Sequence, residues 1–203
     1  MAPVPENPLV TGVLLAAGGG RRLGGRPKAL LTYRGRPLIE HAIRSLRDGG
    51  CDRIVVVLGA AAEEVRARSG LAGCAVTVNP EWRGGMGGSL RAGLAALAGT
   101  GADAALVLLV DQPGIGAEAV SRLRAAATSR ASLAAASYDG TRGHPVLLGA
   151  DHWAGVSTDA TGDQGARAYL REHREALTLV ECADVAEAYD IDTPEDLGRL
   201  RGP

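Results

Sequence analysis

The residues best equipped for chemistry sit at the ends of apolar runs. The run Val10 to Ala16 leads into Leu15-Ala16-Ala17-Gly18-Gly19-Gly20-Arg21-Arg22-Leu23-Gly24-Gly25-Arg26-Pro27-Lys28, with its glycines directly after the run. Glycines at such a place let backbone N–H groups approach phosphate oxygens without a Cβ in the way. Arg22 and Lys28 can neutralise a triphosphate and the charge that develops as pyrophosphate leaves. No Gly-Lys-Ser/Thr closes the loop, so it is not a Walker A motif. It is not a dinucleotide fingerprint either, because Pro27 interrupts the helix that should follow and Gly59 stands where an acidic residue should end the second strand. The bland alternative is a flexible basic surface loop.

The second candidate is Asp111, at the end of the apolar run Ala104 to Val110 and followed by Gln112 and Pro113. A carboxylate there can hold Mg²⁺, which prefers one or two carboxylates plus water and phosphate oxygens. It can equally cap the next helix. The third is Asn79-Pro80-Glu81-Trp82-Arg83-Gly84-Gly85-Met86-Gly87-Gly88-Ser89-Leu90, whose glycine density suits either a backbone-lined pocket for a flat base or a mobile lid. Further on, Arg142-Gly143-His144-Pro145 precedes a strand, and Thr161-Gly162-Asp163-Gln164-Gly165-Ala166-Arg167 opens a helix. That helix start, with Arg167 inside it, is a place for an acceptor phosphate. His144 fits a structural role as readily as a substrate contact, and Asp163 taken alone reads as a cap. Finally, in Asp190-Ile191-Asp192-Thr193-Pro194, Thr193 reads as an N-cap with Pro at the next position, leaving Asp190 and Asp192 for other work.

Elements that position these residues follow from hydrophobic periodicity. Unbroken apolar runs at Val10 to Ala16, Ile54 to Leu58 and Ala104 to Val110 predict strands buried on both faces. Pro37 to Asp48 has the spacing of an amphipathic helix with Pro at its start. Helices are also expected at Ala61 to Arg68, Ser89 to Leu97, Gly116 to Thr128, Ala166 to Glu172 and Glu195 to Leu200. Shorter strands are expected at Ala75 to Val78, Ser132 to Ala136, Val146 to Leu148 and Leu177 to Val180. The alternation predicts a three-layer α/β/α sandwich around a mostly parallel, Rossmann-like sheet, whose ligands bind at the carboxyl ends of the strands. Residues 1–8 read as a flexible leader and 9–203 as one domain.

Bulk properties narrow the class. The 203 residues are 46% hydrophobic and 22% charged, with a net charge of -1, so no basic field points to nucleic acid and the chain has the makeup of a folded domain. No apolar run is long enough for a membrane span, and the first residues lack the features of a signal peptide, so a cytoplasmic protein is expected. Cys51, Cys74 and Cys182 are odd in number and widely spaced, and read as reduced thiols.

Taken together, the motifs resemble the nucleotidyltransferases of molybdenum cofactor maturation. The opening Leu15-Ala16-Ala17-Gly18 with its downstream Arg22-Leu23-Gly24 and Pro27-Lys28 is similar to the signature of the whole superfamily, which also includes sugar-phosphate transferases. More selective are Asn79-Pro80 through Met86, Ser89-Leu90, Asp111-Gln112-Pro113, Gly143-His144-Pro145-Val146 and Gly162 through Arg167. Ala17 and Gln112 look like the cytidylyl branch rather than the guanylyl branch. The resemblance implies a magnesium-dependent transfer of CMP, less readily GMP, from an NTP to a phosphorylated acceptor, molybdopterin or molybdenum cofactor, with release of pyrophosphate. It implies catalytic roles for Arg22, Lys28 and Asp111, and a Mg²⁺ held by Asp111 and a late Asp, Asp190 in preference to Asp192. It implies nucleotide contacts from Leu15, Ala16, Ala17, Gly18, Gly19, Gly20, Asn79, Gly87, Ser89 and Gln112. The acceptor is assigned to His144, Asp163, Gln164, Gly165 and Arg167, and a molybdoenzyme or its chaperone stands as a partner for the product. The competing readings are transfer to a sugar- or polyol-phosphate and a non-catalytic nucleotide-binding module.

Overall fold

The computed structural model describes residues 8–51 and 53–201; all but the last residue of the expected leader lies outside them. β1 (Val10–Ala16) is buried along its whole length, as a strand with neighbours on both edges and helices on both faces must be. A tight ribbon follows, made of β2 (Thr32–Tyr33) and β3 (Arg36–Pro37). Arg34 and Gly35 turn it, both with positive φ, the backbone that suits a two-residue hairpin. Then come α1 (Leu38–Asp48), β4 (Arg53–Leu58), α2 (Ala62–Arg68), β5 (Ala75–Val78) and α3 (Met86–Ala95). The second half holds β6 (Ala104–Leu109), α4 (Ala117–Ala125), β7 (Leu133–Tyr138), β8 (Thr141–Gly149), α5 (Trp153–Asp159), α6 (Arg167–Glu172) and β9 (Thr178–Glu181). A 3-10 segment, Glu195–Arg201, ends the described chain.

The seven-stranded sheet has the order β5-β4-β1-β6-β8-β7-β9. β4, β1 and β6 pair in parallel, as do β4 with β5 and β7 with β9. β8 alone runs against its neighbours. The chain builds outward from β1 through β4 to β5, then crosses back to lay β6 on the other side of β1. That reversal makes the carboxyl ends of β1 and β6 the switch point, where adjoining loops leave in opposite directions. The core divides into two layers. Val10, Leu14 and Ala16 of β1 pack with α1, α2 and α4, while Val13 and Leu15 pack with α3, α5 and α6. The expected α/β/α sandwich is therefore present. Among the described residues no helix is long and apolar enough to cross a membrane, and no disulfide forms.

Several elements differ from the sequence reading. α3 begins at Met86 rather than Ser89, taking Gly87 and Gly88 into its first turn. Contact explains it: a Cβ on Gly87 would lie 2.7 Å from the Ala160 carbonyl group. β8 is longer than expected and forms a hairpin with β7 through Asp139-Gly140, again a pair with positive φ. α5 was not foreseen, and the terminal helix is 3-10. Thr193 is not its cap. Asp196 Oδ2 instead accepts hydrogen bonds from the Asp192 and Thr193 N–H groups and from the Thr193 hydroxyl.

The backbone of α3 lies directly on the sheet at Gly93. A Cβ there would stand 2.6 Å from Val13 Cγ1 and 3.1 Å from Val57 Cγ2, on strands that cannot yield. Gly93→Ala is expected to lower stability by about 1–2 kcal/mol, although alanine is the better helix former, because overpacking outweighs propensity. A urea titration should show a lower midpoint at unchanged slope.

Candidate active site

The loop leaving β1 folds into a 3-10 turn, Arg21–Leu23, held by hydrogen bonds from the Leu23 and Gly25 N–H groups to the Gly20 carbonyl at 2.8 and 3.0 Å. Gly20 has φ 56°, and a Cβ on it would overlap the Arg26 carbonyl. Only glycine fits that corner. The loop returns through a second 3-10 turn, Lys28–Leu30, which carries Lys28 to the carboxyl end of β6.

There the Lys28 ammonium donates to Asp111 Oδ2 at 2.6 Å and to Asp192 Oδ1. Its side chain is only 12% exposed. Burial works against its charge, but Asp111 and Asp192 outweigh that and hold the ammonium above its ordinary pKa. Asp111 is pushed above the usual carboxylate range by burial; Lys28 opposes the shift, and the charges of Asp190 and Asp192 add to it. Asp190 has a different partner. Its Oδ1 accepts a 2.7 Å hydrogen bond from Gln112 Nε2. Gln112 Oε1 is buried and, among the described residues, meets no donor. Arg22 stays largely exposed, its guanidinium 4.0 Å from Asp192. Lys28, Asp111, Gln112, Asp190, Asp192 and Arg22 thus meet in one crevice, although they come from three distant parts of the chain.

Metal-binding capacity follows from these groups. Among the described residues no set of three or more His, Cys, Asp or Glu side chains is arranged to hold a metal by itself. Two carboxylates that already converge on one cation, with an orphaned amide oxygen beside them, suit a hard divalent ion that takes its remaining ligands from phosphate and water.

The other predicted residues divide into two groups. Asn79 and Ser89 are buried and bonded to each other, Asn79 Nδ2 to Ser89 Oγ at 3.1 Å, with Asn79 Oδ1 accepting from the Glu81 N–H. They tie the end of β5 to α3. Gly87 seats α3 against residues 160–161. On the other side of this contact lie the acceptor candidates. Gly162–Gln164 is a 3-10 turn, Gly165 reverses with φ 53°, and the six-residue α6 starts only at Arg167, so the expected helix opening is a turn instead. Asp163, Gln164 and Arg167 are exposed. A cavity of about 390 Å³ separates Asn79, Glu81 and Arg91 from Thr161 and Gly162.

Sequence reasoning missed Trp82. Its ring covers Gly19, whose Cβ would lie 2.8 Å from it, and it packs equally closely on Gly59. Arg83 stacks over that ring at 4.5 Å. The available signal was a glycine at the end of each of two adjacent strands, which implies a large side chain lying across both. Asp192 was also underrated, since two aspartates spaced by one residue offer no way to tell which one faces Lys28.

His144 is brought within electrostatic reach of Arg167 and Arg142. Burial, with these two guanidiniums adding, pulls its pKa down to about 4. The folded protein thus binds this proton less readily than the unfolded chain, whose histidine titrates near 6.5. Stability should fall as pH drops from about 6.5 towards 4. Replacement by Gln should flatten thermal midpoints across that window relative to the parent.

Comparison with known proteins identifies the family. Residues 12–177 match the family model described as the MobA-like NTP transferase domain. A protein of Paenarthrobacter nicotinovorans named nicotine blue oxidoreductase is 46% identical over 96% of this chain and 98% of its own. A molybdenum cofactor guanylyltransferase of Shewanella amazonensis is 29% identical over 94% of this chain and 95% of its own. The crystal structure of Rv0371c from Mycobacterium tuberculosis H37Rv, in complex with manganese, superposes with a TM-score of 0.77 at 29% identity, covering 95% of this chain and 97% of that one. With a glycine loop over a Lys–Asp crevice at the switch point and a family match spanning most of its length, the chain belongs to the MobA-like NTP transferases.

Proposed function

We propose that this nucleotidyltransferase moves a nucleoside monophosphate from an NTP, preferably CTP, to a phosphorylated acceptor of the molybdopterin class, releasing pyrophosphate. The observation that carries the reading is the convergence of Lys28, Asp111 and Asp192 beneath the Gly18–Gly20 loop. In this reading the backbone of Leu15 to Gly20 receives the nucleotide, and Arg22 and Lys28 offset charge on the pyrophosphate as it departs. Asp111 and Asp190 are the metal ligands. In this reading Lys28 keeps Asp192 as its counter-ion when Asp111 turns to the metal, and Asp190, which is bonded to the neutral Gln112 amide, is the second ligand. A divalent cation there, Mg²⁺ in this reading, would supply charge for the phosphate oxygens in the transition state. Asn79, Gly87 and Ser89 shape the base pocket together with Gln112. His144, Asp163, Gln164, Gly165 and Arg167 receive the acceptor on the α6 side, where a neutral His144 offers a hydrogen bond without charge.

Ala17 and Gln112 support CTP, and the relative named a guanylyltransferase favours GTP. Thermal stabilisation across the four NTPs with Mg²⁺ separates them, with the largest shift expected for CTP. The name of the 46% identical relative favours a second reading, oxidoreduction of a pigment of that kind. Bleaching of nicotine blue with a reduced nicotinamide or flavin cofactor, without pyrophosphate release from any NTP, would establish it instead. On the transferase reading, Asp111→Asn lowers turnover by roughly a hundredfold or more. Asp190→Asn raises the metal concentration needed for half-maximal rate, and Asp192→Asn leaves that concentration near its parent value. The reverse order between the two late aspartates would reassign the second ligand.

A further inference from the structure

Behind the catalytic loop, on the α1 and α4 face, lies a second cavity of about 270 Å³ whose walls are unusually cationic. One wall is a stripe of α1: His41, Arg44, Ser45 and Asp48, spaced as residues on one helix face must be. The other is the β2–β3 ribbon, whose positive-φ turn puts Arg34 and Arg36 on the rim. The start of α4, Gly116 and Ala117, closes the end, and no side chain caps that helix. Three guanidiniums against the single carboxylate of Asp48 leave the rim net positive.

Among the described residues none of Arg34, Arg36 and Arg44 forms an ion pair, in contrast to Arg22, Arg68, Arg122 and Arg130. Arg34 is held over the Tyr33 ring at 5.1 Å, and Tyr33 in turn meets the His41 ring edge-on at 4.9 Å. His41 Nε2 lies 3.0 Å from the Pro113 carbonyl, which fixes the ring between the cavity and the loop that carries Asp111. Burial lowers its pKa, opposed by the bond to Pro113 and aided by the charges of Arg34 and Arg44; a ring that donates at Nε2 can accept at Nδ1. Three like charges on a walled hollow that holds one carboxylate repel one another, and an anion relieves that repulsion.

We propose that this hollow is an anion site, separate from the nucleotide crevice, that takes a phosphate-bearing small molecule of pyrophosphate size. Arg34, Arg36 and Arg44 grip the phosphate oxygens by fork-shaped contacts, and the first-turn amides of α4 complete the seat. The site goes beyond nucleotidyl transfer and shares no side chain with the Lys28–Asp111–Asp192 cluster.

Calorimetric titration with pyrophosphate in the presence of Mg²⁺ tests it in the full-length chain. The parent is expected to bind at two sites per chain. Arg36→Gln/Arg44→Gln should lose one of them, or weaken it roughly tenfold or more, and keep the other. Lys28→Gln should show the opposite loss. Both arginines are exposed, and Arg36→Gln alone, at the start of β3, serves as a second variant whose thermal midpoint should match the parent. Binding in the double variant indistinguishable from the parent overturns the proposal, as does a single parental site that disappears only with Lys28. A single parental site lost only with the arginines supports it while removing the pyrophosphate subsite assigned to Lys28.

Discussion

Everything at the crevice depends on β1 being paired in parallel on both edges, with β4 on one side and β6 on the other. A strand so placed has no free edge, so its register is fixed twice, and its exit loop must rise out of the sheet between two diverging neighbours. Gly18 to Gly20 can occupy that gap only because Gly59, at the end of β4, also lacks a side chain, and Trp82 fills the space above both. The glycine loop is thus walled by packing as much as by its own turns. Only its outer corner around Gly24 and Gly25 is open, where a Cβ would meet nothing.

The two helical layers serve different ends. On one face, α3 touches the sheet at Gly93 and residues 160–161 at Gly87, so its position is set by backbone contact and tolerates almost no drift. On the other face, α1 and α4 flank the catalytic loop from behind, and His41 reaches the Pro113 carbonyl.

Much of this was legible in the residues, and for a physical reason. A strand buried on both faces must be apolar throughout, so β1, β4 and β6 announced themselves, and polar or glycine residues ending them marked the switch point. The β7–β8 hairpin was also written in the chain, since Asp139-Gly140 is a strong two-residue turn; reading only the apolar stretch Val146 to Leu148 hid it. α5 was not readable, because its seven residues, Trp153–Asp159, are held by packing of Val156 rather than by a sustained amphipathic repeat. Nor could spacing alone distinguish Asp190 from Asp192. That distinction depends on Asp196, four residues downstream of Asp192, which turns the backbone by gathering two N–H groups and a hydroxyl.

The Lys28 ion pairs also set a rule of exchange. An ammonium this enclosed loses several kcal/mol of hydration and is sustained by its two carboxylates. A triphosphate that draws Lys28 towards itself would strip those carboxylates of their counter-charge and leave like charges facing one another around Asp111. The swap is isoelectric only when the incoming phosphates arrive with positive charge of their own. On the proposed transferase reading, the resting crevice would therefore disfavour bare polyanions, using the same residue that then serves the departing group.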